Sequence, residues 1–197
     1  MEYNAQRIAI EEKLSKLLEA FTPILYEDDE IFLENMKDRN LAGDDIRRYQ
    51  HWEWTQGVGL YGLWKLFTKT GEKKYLDILT KFFDSQLEIG FPALNVNTMA
   101  PFLTMSYVGE YLNSERYLAP CRESAVWIME HFPRTEEGGF QHMTSDTLND
   151  QELWDDTLFM TVLFLANMGR IEGNQAYIDE AQRQFLLHAK YLADPET

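Results

Sequence analysis

The chain of 197 residues carries 18 basic against 33 acidic side chains, and a formal charge of −15 argues against nucleic acid as a partner. With 45% apolar residues, including 5 Trp, 10 Tyr and 12 Phe, it can bury one substantial core and is neither disordered nor collagen-like. No apolar run approaches the ~20 residues of a bilayer span, the start has no basic-then-apolar leader pattern, and the single Cys121 excludes an internal disulfide framework and a multi-thiolate metal site. The expectation is one domain over residues 1–197, in the cytoplasm, with no membrane contact and no cofactor.

In chain order, Ile8, Ile10, Leu14, Leu17, Leu18 and Phe21 recur at helical spacing with Glu and Lys between them, which predicts an amphipathic helix stopped before Pro23. From Tyr26 to Gln50 charge dominates, and the acidic stretch from Asp28 to Asp45 reads as a solvated connecting loop with one helical turn near Ile31–Met36. Three helical hairpins follow. In the first, the apolar, glycine-studded run Trp54–Phe67 is broken at Thr70-Gly71 and gives way to an amphipathic helix from Tyr75 to Leu87. In the second, Asn95-Val96-Asn97 opens an apolar run through Leu112, Asn113 breaks it, and Tyr117-Leu118 begins the next helix. In the third, Trp154-Asp155-Asp156-Thr157 opens the run Leu158–Met168, Gly169 breaks it, and Tyr177-Ile178 begins a helix ending near Leu192.

A helix apolar all round must be covered on every side, whereas an amphipathic one needs only one face covered. Inner helices ringed by outer ones satisfy both, so the pattern predicts an all-α α/α toroid of about seven helices, without strands. That is half of a closed ring, and it leaves an apolar edge for a partner to cover. Self-association and a C-terminal half outside this sequence both answer the need.

The polar lead-ins to the inner helices converge on one mouth. They supply carboxylates, amides, a histidine and indole faces, a mixture suited to a sugar, whose CH faces stack on indole while its hydroxyls seek hydrogen bonds. Asp155 and Asp156 exceed the need for one helix cap, and neighbours on a helix do not share a face, so one can cap while the other points into the mouth. For such an aspartate, burial against Trp154 and Phe159 favours the protonated acid and the helix N-terminus favours the carboxylate. His142 reads either as a hydrogen-bonded structural histidine or as a site residue. Trp52 and Trp54 read either as packed helix-start aromatics or as sugar platforms, and Trp64 and Trp127 as core. Gly57, Gly59 and Gly62 lie inside a helix without a preceding strand, so close helix packing explains them better than nucleotide binding. The histidines show no metal-ligand spacing, and Met99, Met105, Met160 and Met168 are core filler.

Trp54-Thr55-Gln56-Gly57-Val58-Gly59-Leu60, Asn95-Val96-Asn97-Thr98-Met99-Ala100-Pro101, Gly138-Gly139-Phe140-Gln141-His142 and Leu153-Trp154-Asp155-Asp156-Thr157-Leu158-Phe159-Met160 resemble the unsaturated rhamnogalacturonyl hydrolases of glycoside hydrolase family 105, to which the unsaturated glucuronyl hydrolases are related. The resemblance runs from about Gln50 to the C-terminus. It implies the N-terminal half of an (α/α)6 barrel and a glycosidase that hydrates the C4=C5 double bond left by a pectin lyase on a uronic acid. The resemblance makes Asp156 the catalytic acid. It makes Trp54, Thr55, Asn97, His142 and Trp154 substrate-binding residues, and needs neither metal nor cofactor. Where the family often places a lysine after the histidine, Met143 stands here. Two further readings are a catalytically incomplete half-barrel that binds carbohydrate or protein, and another toroid enzyme such as a sugar epimerase, for which paired histidines are wanting.

Overall fold

A computed structural model describes residues 2–41, 43 and 46–194, without the side chains of residues 2–8. The acidic-stretch expectation at residues 44 and 45, the contribution of the Ile8 side chain and the chain end at 195–197 therefore lie outside the described residues. The helices are α1 (Glu2–Ile24), α2 (Glu30–Met36), α3 (Ile46–Tyr49), α4 (Trp54–Thr70), α5 (Lys73–Ile89), α6 (Val96–Leu112), α7 (Glu115–His131), a π-helical stretch (Leu158–Val162) continuing as α8 (Leu163–Glu172), and α9 (Gln175–Leu192). The only extended pairing among the described residues is one isolated bridge between Arg134 and Phe140.

The expected long first helix and three hairpins are present, giving among the described residues the seven long helices of a half toroid, with two short helices added. Three details differ from the sequence reading. The charged segment holds two short helices where a loop with one turn was expected, because Asp29 accepts a hydrogen bond from Phe32 N and caps α2. Pro23 lies inside the last turn of α1, which ends at Ile24. Gly169 does not end the third inner helix: the break falls at Gly173, in the left-handed conformation (φ 62°), and a Cβ at Gly169 would lie 2.7 Å from Ile178 Cγ1.

α6 occupies the middle, packed between α4 on one side and the π-α8 helix on the other, with α5 and α7 behind it. Twelve of its 17 residues are buried, as its lack of a polar face requires. Its start is set by a capping box: Asn95 Oδ1 accepts from Thr98 N at 3.2 Å, and Thr98 Oγ1 accepts from Asn95 N at 2.8 Å. α4 and α6 approach closely through Gly57, where a Cβ would fall 2.5 Å from Ala100 Cβ and 2.7 Å from the Ala100 carbonyl carbon. Gly59 serves α1 instead, seating the ring of Phe21, while Gly62 faces open space and serves no packing role.

The core runs through all three hairpins. Trp52 is fully buried, with its ring centroid 4.5 Å from Phe91 and 4.9 Å from Phe102 and its Nε1–H donating to Thr98 O at 2.9 Å. Trp52 is thus a structural post beneath the mouth and no sugar platform. Trp64 is buried and Trp127 half-buried against Phe132, and Met99, Met105, Met160 and Met168 fill the core.

The flanks of the half toroid are apolar and open. Val58 of α4 is 47% exposed, and an apolar groove of about 540 Å³ runs between α1 and α4, lined by Leu14, Leu17, Phe21, Val58 and Leu66. On the opposite flank Leu163, Phe185 and Leu186 are exposed. Gly57→Ala forces α4 away from the α6 backbone and is expected to cost about 1–3 kcal/mol, read as a lowered urea midpoint with an unchanged slope.

Candidate functional site

The starts of α4, α6 and the π-α8 helix are held together by the long connection between α7 and the π-helical stretch. Near its base, Phe140 N donates to Gln184 Oε1 at 2.8 Å, and Arg134 Nη1 donates both to Glu180 Oε1 at 2.6 Å and to Gly138 O at 3.2 Å. Burial alone would raise the Glu180 carboxyl. Hydrogen bonds from Arg183, Arg134 and Gln184 outweigh it and hold the group down at about 2, so a carboxylate anchors this connection onto α9.

Beyond that base, His142 N donates to Glu152 O at 2.9 Å, Val96 N donates to Met143 O at 3.4 Å, and Leu41 N donates to Ser145 O at 2.7 Å. The loop 141–149 is therefore tied to its own outgoing strand of chain, to the first turn of α6 and to the segment after α2.

Two groups of polar side chains result. In the first, His142 is buried with its ring stacked under Trp154, centroids 4.2 Å apart and planes 11° from parallel. Asn149 Nδ2 donates to His142 O at 2.8 Å and reaches His142 Nδ1 at 3.1 Å. Since an amide oxygen would not face a carbonyl oxygen, that nitrogen is the donor to Nδ1, and the ring hydrogen sits on Nε2. Nε2 lies 3.3 Å from Asp156 Oδ1, and both atoms are buried without a hydrogen bond of good geometry. The Asp156 side chain is 36% exposed, whereas Asp155 next to it faces water. The two aspartates diverge as helix geometry requires, although no side chain caps the π-helical stretch. That stretch begins two residues after Asp156, and widened turns of this kind concentrate at functional sites.

The second group lies at the start of α4. Trp54 is 45% exposed and Thr55 is exposed, its hydroxyl donating to Gln56 Oε1 at 2.9 Å. Both line a cleft of about 680 Å³ whose opposite wall is Ile24, Ile31, Phe32 and the acidic run Glu27–Glu30. Glu53 sits in the floor of the cleft, 6% exposed, accepting from Trp54 N at 3.3 Å. Burial pushes its carboxyl up to about 8, the charge of Asp146 adds to the rise, and Trp54 N with the Asn97 and Ser145 side chains oppose it. Asn97 is half-buried and stands beside Glu53.

The expected site residues thus fall into two clusters, Asp156 with His142 and Trp154, and Trp54 and Thr55 with Asn97 beside Glu53. Among the described residues no hydrogen bond joins the clusters directly, and the loop 141–149 spans them. Trp154, 44% exposed, hydrogen-bonds Glu152 through Nε1 at 2.8 Å and keeps its outer face free.

Three side chains were not read as site residues from the sequence: Glu53, Asn149 and His188. His188 of α9 is fully buried, donates from Nδ1 to Gln184 O at 2.8 Å, and leaves Nε2 without a partner; burial lowers its basicity while the Gln184 carbonyl and the Asp156 charge oppose this. No sequence motif marks any of the three: Asn149 reaches His142 from seven residues along the same loop, and the burial of Glu53 and His188 comes from packing of distant segments. Among the described residues no three His, Cys, Asp or Glu side chains converge to hold a metal ion, and no helix is long and apolar enough to cross a membrane.

The native chain holds the Glu53 proton longer than an unfolded carboxyl of 4.5 does, so stability is lost as pH rises from about 4.5 to about 8. Glu53→Gln removes this loss. Its thermal midpoint is expected to exceed that of the wild type by a margin that grows across this window and then levels off, measured by calorimetry from about pH 5 to about pH 9.

The profile of Glycosyl Hydrolase Family 88 matches residues 29–197. The unsaturated rhamnogalacturonyl hydrolase YesR of Bacillus subtilis (strain 168) is 31% identical over 148 residues, which cover 74% of this chain and 43% of YesR. A crystal structure from Klebsiella pneumoniae subsp. pneumoniae MGH 78578, described as a possible member of the GH105 family, superposes with a TM-score of 0.79 at 39% identity, over 94% of this chain and 49% of that one. A similarly described structure from Salmonella enterica subsp. enterica serovar Paratyphi A gives 0.78 at 37% identity, over 94% and 50%. The family 105 glycoside hydrolase of C. acetobutylicum ATCC 824, at 22% identity and a TM-score of 0.63 over 88% of this chain and 46% of that one, shares the fold. The chain spans about half the length of these relatives.

Proposed function

Because this chain belongs to glycosyl hydrolase family 88, we propose that its 197 residues form the N-terminal half of an (α/α)6 barrel, and that this half carries the catalytic acid of a glycosidase acting on unsaturated uronyl disaccharides from pectin. The observation that carries the reading is the half-buried Asp156, with Oδ1 set 3.3 Å from His142 Nε2.

In the proposed reaction Asp156 delivers its proton to C4 of the enol ether. The positive charge that develops at C5 is quenched by water, whose proton returns to the Asp156 carboxylate. The hemiketal so formed expels the aglycone as an alcohol and leaves a keto-uronate, so hydration precedes departure. A pair of carboxylates spaced across the glycosidic bond is then unnecessary, in keeping with a site that presents one half-buried aspartate. His142, fixed by Asn149 with its Nε2–H toward Asp156, orients the carboxyl. The outer face of Trp154 and the exposed Trp54 suit the CH faces of the two sugars. With Met143 where the family often has a lysine, the uronate carboxylate relies on neutral donors, of which Asn97 and Thr55 stand at the mouth. The substrate is pectin-derived by likeness to YesR, which is described as an unsaturated rhamnogalacturonyl hydrolase.

Addition of unsaturated rhamnogalacturonan disaccharide to the protein is expected to bleach the ultraviolet absorbance of the alkene. Asp156→Asn is expected to slow this by roughly 10²–10⁴-fold, with circular dichroism unchanged. Equal turnover in the variant removes Asp156 from the reaction.

A further inference from the structure

His142 and Asp156 approach through two buried atoms, Nε2 of the ring and Oδ1 of the carboxyl, 3.3 Å apart. The Asp156 side chain is nonetheless 36% exposed, which leaves Oδ2 as the oxygen open to the mouth. A protonated carboxyl carries its hydrogen on one oxygen only, and only from Oδ2 can that hydrogen reach a substrate. We propose that Asn149 is the positioning residue that selects the oxygen: by fixing the tautomer of His142 it places the acidic hydrogen of Asp156 on Oδ2. The task of that hydrogen rests on the reaction proposed above, whereas the tautomer does not.

A single amide group fixes the ring. Asn149 Nδ2 carries two hydrogens and lies 2.8 Å from His142 O and 3.1 Å from His142 Nδ1. The carbonyl oxygen can only accept, so one hydrogen goes to it and the other to Nδ1, which must then be the bare nitrogen. The N–H of the ring is therefore at Nε2 and faces Asp156 Oδ1. The contact is long, as such contacts often are before substrate binds. Whether Asp156 is protonated or ionised, Oδ1 meets this N–H with a lone pair, and the carboxyl hydrogen is left to Oδ2. In the opposite tautomer Nε2 presents a lone pair, draws the hydrogen onto Oδ1 and turns it inward.

The surrounding chain serves the same end. Trp154 stacks on the ring with centroids 4.2 Å apart. His142 N donates to Glu152 O at 2.9 Å, and Glu152 N donates to Asn149 O at 3.0 Å, so the turn closes on the histidine. Asn149 adopts φ 44°, in the left-handed region that asparagine enters more readily than most residues. His188 of α9 is the other buried imidazole that feels the Asp156 charge, but its Nδ1–H is given to Gln184 O. Burial lowers its basicity, and as a neutral ring it has no hydrogen to offer Asp156.

The test uses the full chain with isotope-labelled histidine and the variants Asn149→Asp and Asn149→Gly, both of which keep the left-handed turn accessible. Long-range proton–nitrogen correlation is recorded above about pH 8, where an ordinary imidazole is neutral, and the His142 signals are identified by their loss in His142→Gln. In the wild type Nδ1 is expected to resonate as a hydrogen-free nitrogen and Nε2 as an N–H. Asn149→Asp sets an acceptor against Nδ1, so a hydrogen is expected there, in the opposite tautomer or in the imidazolium, and in neither does Oδ2 of Asp156 carry a hydrogen. Asn149→Gly is expected to populate both tautomers. With the unsaturated disaccharide, kcat is expected to fall by roughly 10²–10⁴-fold in Asn149→Asp and by less in Asn149→Gly, with little change in KM. A wild-type ring with its hydrogen on Nδ1 overturns the proposal, as does an Asn149→Asp ring that keeps Nδ1 bare. So does an Asn149→Asp protein with the hydrogen moved and kcat unchanged. A wild type that leaves the disaccharide untouched overturns the proposed reaction alone, since the nitrogen resonances still decide for or against Asn149.

Discussion

α6 has no face that tolerates water, and the rest of the half toroid is arranged to hide it. Such a helix needs neighbours on every side. α4 and the π-α8 helix take its flanks, while α5 and α7 close its back. The contact with α4 is close enough that only a glycine at position 57 clears the Ala100 backbone. Packing of this kind fixes the helix starts as well as the helices, because each start carries polar groups that are costly to bury unpaired. The mouth is therefore a consequence of how α6 is covered.

What happens at that mouth is governed by one long connection. It leaves α7, is riveted to α9 by Arg134, Glu180 and Gln184, and then spends its backbone hydrogen bonds on α6 and on the segment after α2. A loop so tied can present a histidine with defined tautomer and plane, which a free loop cannot. The ring of His142 is held on one face by Trp154 and at Nδ1 by Asn149, leaving its Nε2–H for Asp156. The same loop carries Ser145 and Asp146 to Glu53, the buried acid at the start of α4.

Much of the fold was legible in the sequence because the inner helices are written in composition rather than in periodicity. Runs such as Asn97–Leu112, nearly without charge, announce full burial, and the tyrosine-led amphipathic stretches after them announce the outer layer. Gly169 misled because a glycine inside a helix that presses on a neighbour looks like a glycine that ends one, and only the packing of Ile178 tells them apart. Trp52 and Trp54, two residues apart, looked alike as platforms, yet one is a core post and the other an exposed face. At the site, the divergence of Asp155 and Asp156 followed from helix geometry, whereas Glu53 did not stand out from the polar lead-in that contains it. A lone glutamate before a helix reads as a surface cap, and what makes this one unusual is the convergence of Asn97, Ser145 and Asp146 from sequence distances no local pattern spans.

The open flanks bear on the site as well. Trp54 and Thr55 of the 680 Å³ cleft belong to the same helix as Val58, whose side chain faces the uncovered apolar groove between α1 and α4. A ring completed over both flanks would lower the local dielectric around the mouth, and in a drier site the attraction between a positioned donor and an anionic sugar grows while the penalty for a second buried carboxylate grows with it. In a chain whose formal charge is −15, holding the Glu53 carboxyl protonated at neutrality and setting His142 Nε2 3.3 Å from Asp156 limits the negative charge that an anion would meet at the mouth.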